Sequence, residues 1–100
     1  MFVVISTYRA KLGEEDAIIA LHENWKGNQG SGTKTFISWQ LLSKVEAPRE
    51  FIDITHFENE DLARAMINDL HHDAWYQRLQ SLVEEGPIST DCKHEWQISE

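Results

Sequence analysis

Residues 71–76 read HHDAWY and bring two histidines, an aspartate, a tryptophan and a tyrosine together; no other stretch gathers as many groups able to do chemistry. An imidazole with an ordinary pKa near 6.5 gains and loses a proton around neutrality, so His71 or His72 suits the work of a general base. Trp75 and Tyr76 offer flat faces on which an aromatic molecule can stack, and a hydroxyl to hold it. Successive helical residues point about 100° apart, so both histidines cannot face one cavity, and one of them is a solvated or capping side chain. Packing is the competing role for Trp75, which shares an apolar stripe with Leu79 and Leu82. A metal site is not expected. His72 and Tyr76 have i,i+4 spacing, but tyrosine is a rare ligand, no HxxxH or HExxH occurs, and Cys92 is the single cysteine. The two histidines with Asp73 would need help from His56 or from a second subunit. No Ser–His–Asp or Cys–His arrangement and no dinucleotide fingerprint is present.

The composition narrows the partners. The formal charge of −8 on 100 residues repels a phosphate backbone, and no basic stripe interrupts it, so nucleic acid is excluded. One cysteine leaves no internal disulfide and fits a reducing cytoplasm. MFVVIS has no basic flank, too short an apolar run and no cleavage site, so it is expected to be a first strand rather than a signal peptide or a membrane span. Four tryptophans in so short a chain imply a large core, an aromatic pocket or a partner surface.

The elements that must position residues 71–76 follow from periodicity. Phe2 to Arg9 is rich in β-branched and aromatic residues, its apolar run nearly continuous before it turns polar, and is expected as a strand covered on both faces. Glu14, Glu15 and Asp16 open a helix whose stripe is Ala17, Ile18, Leu21 and Trp25, with Lys26-Gly27 at its end. His22, beside Glu23, is expected to be exposed. Residues 28–33, NQGSGT, lack the spacing of a phosphate loop and read as a surface loop. Thr35 to Val45 is a second strand, with Ile37, Trp39 and Leu41 on one face and Phe36 and Leu42 on the other. Phe51 to Phe57 is a third, with Ile52, Ile54 and His56 opposite Phe51, Asp53, Thr55 and Phe57. Asn59 caps a helix that breaks near His71-His72 and resumes as far as Gly86-Pro87. Ile88 to Ile98 alternates as a last strand, with His94 at an edge or interface. The order β-α-β-β-α-β, with no repeat or linker, predicts one domain over residues 1–100, an α+β ferredoxin-like sandwich on an antiparallel sheet. Helices cover one face only. The other face also carries apolar residues, and a second copy packed against it, a homodimer through the sheet, is the expected cover.

Across nearly its whole length the chain resembles the antibiotic biosynthesis monooxygenase family, a branch of the dimeric α+β barrel proteins. The resemblance lies in FVVISTYRAKLGEED, in FIDITHFENEDLARAM and in HHDAWYQRLQSLVEEGP. It implies a ligand cavity between sheet and helices in each subunit, for which Tyr8, Trp39, His56, His71, His72, Trp75 and Tyr76 are the candidate lining residues. It also implies oxygenation of an electron-rich aromatic or quinol-type small molecule without a bound cofactor, with His71 or His72 as the base. The haem-degrading branch of the family carries an asparagine, a tryptophan and a histidine where this chain has Tyr8, Met66 and Tyr76, so haem is not expected. Trp39 is placed either in the core or at the dimer face. The alternative function is a non-catalytic small-molecule-binding or interaction domain of the same fold.

Overall fold

A computed structural model describes residues 1–25 and 35–99. Seven elements follow one another: β1 (Phe2–Ala10), α1 (Glu15–Glu23), β2 (Ser38–Lys44), β3 (Ala47–Phe57), α2 (Glu60–Ile67), α3 (Leu70–Leu82) and β4 (Val83–Lys93). The strands form one antiparallel sheet in the order β2-β3-β1-β4. This is the expected ferredoxin-like α+β arrangement, with the second helical segment split in two. The expected helix end at Lys26-Gly27 and the loop at 28–33 lie outside the described residues.

Even positions of β1 and odd positions of β3 turn toward the helices, as period-two alternation requires. Tyr8, Ala10 and Phe51 meet Ile18 of α1 and Leu79, Leu82 and Val83 at one end of the core. Phe57 meets Ala63 and Met66 of α2 at the other. Ile18 and Leu79 are fully buried, and each contributes on the order of 2 kcal/mol by leaving water. Asn59 caps α2 by accepting from the Leu62 amide at 3.0 Å, and an exposed Glu60–Arg64 pair follows at i,i+4.

Three boundaries depart from the sequence expectation. The helical break falls at Asn68–Asp69, where Asp69 accepts from the His71 amide at 2.7 Å; the histidines therefore sit in the first turn of α3, after the break. α3 ends at Leu82, short of Gly86-Pro87, because Val83 is buried and pairs with Ala10 in the sheet, and tertiary pairing outweighs helix propensity. Gly86 instead lies in β4, opposite a register shift at Tyr8. Its φ is +87°, and a Cβ there would stand 2.7 Å from the Thr7 carbonyl oxygen, so only glycine lets β4 approach β1 this closely. Finally, β2 starts at Ser38, and Phe36 packs beside Trp39 on the helix side. Residues ahead of a ladder need not alternate, and Ile37 is left exposed.

Candidate functional site

β3 carries a carboxylate in the middle of its core-facing row. Asp53 lies between Phe51 and Thr55 and is 6% exposed, a position that is costly unless the charge is hydrogen-bonded. Three elements supply donors. From β1, the Tyr8 hydroxyl donates to Asp53 Oδ2 at 2.6 Å. From α1, His22 Nε2 lies 2.8 Å from the same oxygen. From β2, the Trp39 indole N–H donates to Oδ1. Burial, and then the Asp53 charge, push the Tyr8 phenol above its ordinary range, so it keeps its proton and remains a donor. His22 Nδ1 lies 2.8 Å from the Ile18 carbonyl oxygen; the carbonyl and the Asp53 carboxylate both only accept, so each ring nitrogen donates, Nδ1 to Ile18 and Nε2 to Asp53.

Above Asp53, between the sheet and α2–α3, is a cavity of about 340 Å³, within the range of small-molecule sites. Trp39, Asp53, Thr55, Phe57 and Ser89 form its sheet side; Met66, His72, Trp75, Tyr76 and Leu79 form its helix side. Trp75 is steered by its indole N–H, which donates to the Leu21 carbonyl oxygen at 3.1 Å. Its ring meets Trp39 edge-on with centroids 5.1 Å apart, and His72 stacks on Tyr76 at 6.0 Å. Burial holds the His72 imidazole below its ordinary pKa, against the opposing pull of Asp69 and Asp73. It is therefore neutral near pH 7 and able to take a proton. Arg64 of α2 pairs with Asp91 of β4 at 2.9 Å at the cavity's edge, both exposed, which makes this link worth little in stability.

The structure divides the candidate residues. Trp39, His72, Trp75 and Tyr76 line the cavity. His71 is exposed and does not. Tyr8 stands behind the wall, 4% exposed and stacked on Phe51 at 5.8 Å, and reaches the site through Asp53. His56 is a correction. It faces away from the helices with Ile52 and Ile54, its Nδ1 is 3.1 Å from the Ser38 hydroxyl, and its ring neighbours His94 at 6.0 Å. Alternation along β3 dictates that side. His22 is a second correction, since its side chain is 11% exposed; at i+4 from Ile18 it falls within the stripe that buries α1. Asp53 and His22 were both missed as site residues, although a lone carboxylate among Phe51, Thr55 and Phe57 calls for buried donors. Among the described residues no cluster of three or more metal-ligating side chains occurs.

No family model and no curated protein matches the chain. Solved structures do. SnoaB, a cofactor-independent oxygenase from Streptomyces nogalater, superposes with a TM-score of 0.82 at 10% identity, over 99% of this chain and 97% of that one. A conserved protein from Methanosarcina mazei gives 0.82 at 11% identity, over 94% and 92%. A protein from Nitrosomonas europaea, provisionally named an antibiotic biosynthesis monooxygenase, gives 0.80 at 14% identity, over 96% and 100%. The chain thus has the α+β fold of structures that carry the antibiotic biosynthesis monooxygenase name. The resemblance read from its sequence is met at the level of fold.

Proposed function

We propose that this chain is a cofactor-independent monooxygenase of an electron-rich aromatic or quinol-type small molecule, working as a homodimer packed through the open sheet face. The observation that carries this is the cavity: an indole on each side, Trp39 and Trp75, the Tyr76 phenol on the helix side, and a neutral imidazole, His72, among them. His72 takes a proton from a phenol or an activated C–H. The resulting anion is electron-rich enough to reduce dioxygen, and the apolar walls keep water from competing. In the balance, the substrate gains one oxygen atom and gives up two hydrogens, which leave with the second oxygen as water. Trp39, Trp75 and Tyr76 hold the ring system flat.

The dimer is supported by the uncovered side of the sheet, where Leu42 and Ile88 are 46% and 63% exposed beside Ile5, Ile52 and Ile54. No helix among the described residues is long and apolar enough to cross a membrane, and a single cysteine fits the cytoplasm.

Oxygen consumption with anthrone and hydroxynaphthoquinols tests the reaction. His72→Ala should lower the rate by about 10²-fold or more, the usual scale of a lost general base, whereas exposed His71→Ala should leave it unchanged. No uptake above buffer, or equal rates in both variants, refutes the reading. The alternative is a non-catalytic small-molecule-binding or interaction domain. It draws on the mutual edge-to-face packing of Trp25, Trp39 and Trp75 at 5.1–5.8 Å, which serves a core as well as a site.

A further inference from the structure

We infer that Asp53 is the cavity's acceptor for a ligand hydroxyl, and that the cavity takes a para-dihydroxyaromatic molecule whose second hydroxyl meets His72 on the opposite wall. This rests on the quinol-type substrate proposed above and specifies how it is gripped.

The arrangement of the buried pair carries the inference. In a general-base dyad the carboxylate stands behind the histidine and the imidazole faces the substrate. Here the order is reversed. His22 Nδ1 is held on the Ile18 carbonyl and Nε2 on Asp53, so neither ring nitrogen is left for the cavity. Asp53 is the member of the pair that lines it. A carboxylate has about four lone-pair positions, and Tyr8, His22 and Trp39 occupy three of them. One acceptor position remains on a floor whose other polar groups are the Ser6, Thr55 and Ser89 hydroxyls and, at the edge, Asp91, which is already paired with Arg64.

The two proton acceptors lie on different layers. Asp53 belongs to β3 on the sheet side, and His72 to α3 on the helix side, with the indoles of Trp39 and Trp75 between the layers. A flat ring with one hydroxyl at each end satisfies both acceptors while its faces meet the indoles. A ring with one hydroxyl leaves one of them without a donor, and a buried polar group left unpaired is what gives hydroxyl-reading sites their discrimination. His22, Tyr8 and Trp39 act through Asp53 as positioning residues, since their hydrogen bonds fix both of its oxygens.

The test is an oxygen-free titration of the protein with 1,4-dihydroxynaphthalene, 1-naphthol and naphthalene, read by quenching of tryptophan fluorescence. The diol should bind at least about tenfold more tightly than 1-naphthol, the equivalent of one well-made buried hydrogen bond. Asp53→Asn, which replaces an acceptor oxygen by a donor, should bring the diol to within about twofold of 1-naphthol. Should Asp53→Asn fail to fold, the wild-type series decides alone. Diol and 1-naphthol binding within twofold of each other in the wild type overturns the inference, as does a failure of all three to bind. An Asp53→Asn protein that folds and keeps the full preference overturns it as well. Because oxygen is excluded, turnover does not enter: a diol preference without oxygen consumption would leave this assignment standing and remove the monooxygenase one.

Discussion

His72 lines the cavity because Asp69 caps α3 two residues ahead of His71 and so fixes which turn of the helix meets the sheet. The same cap leaves His71 pointing to solvent. The titration of His72 has a definite sign. Its pKa in the folded protein lies below the ordinary value of about 6.5 because burial disfavours the charged ring. Between the two values the unfolded chain binds more protons than the folded one, so stability is full above about pH 6.5 and is lost as pH falls through the lowered folded value. Urea midpoints of the wild type should therefore decline on acidification more steeply than those of His72→Gln; parallel profiles would show that the ring is not buried as described. At this scale the sequence was half legible. The chemistry of residues 71–76 was visible because the residue types are adjacent. The Asp53–His22 pair joins residues 31 apart, and its two halves were each visible only as an anomaly: a carboxylate in an apolar row, and a histidine in a helical stripe.

The elements were the most legible part, since periods of 2.0 and 3.6 are local properties of the chain. The alternation in β3 placed Asp53 and Phe57 on one side and His56 on the other. Boundaries were harder, because a helix stops where a strand partner captures it. Val83 pairs with Ala10, and no signal within residues 79–87 announces that partner. Gly86-Pro87 has the composition of a helix stop but serves as a bulge, packed against the Thr7 carbonyl. Gly13 has a similar φ of +84° with open space around it, so the two glycines separate backbone preference from crowding. Gly13→Ala should cost about 1 kcal/mol, the left-handed penalty alone. Gly86→Ala adds a backbone clash and should cost roughly 3 kcal/mol. In a domain of this size each kcal/mol lowers Tm by about 4–8 °C. Equal losses of Tm in the two variants would mean that β4 does not approach β1 as closely as described.

At the scale of the molecule, the three helices among the described residues shield one side of the four-stranded sheet, and the remaining side presents Ile5, Leu42, Ile52, Ile54 and Ile88. That imbalance was already implied by apolar residues on both faces of the strands, and the second copy proposed to cover it has a direct consequence. Sedimentation at micromolar concentration should give about twice the single-chain mass, and Ile54→Glu at the middle of the open face should shift the protein toward single copies or unfold it. A folded wild-type single copy would contradict the proposed dimer. The substrate was not legible in the sequence, because a cavity assembled from four strands and two helices has no local signature. The central claim is that this cavity inserts oxygen using the chain's own side chains. Mass spectrometry of the product formed from anthrone under ¹⁸O-labelled dioxygen, with metal-free protein, tests it most directly. One labelled oxygen atom in the quinone product, lost in His72→Ala, is the expected result; product without label, or labelled product at the same rate in His72→Ala, would contradict it.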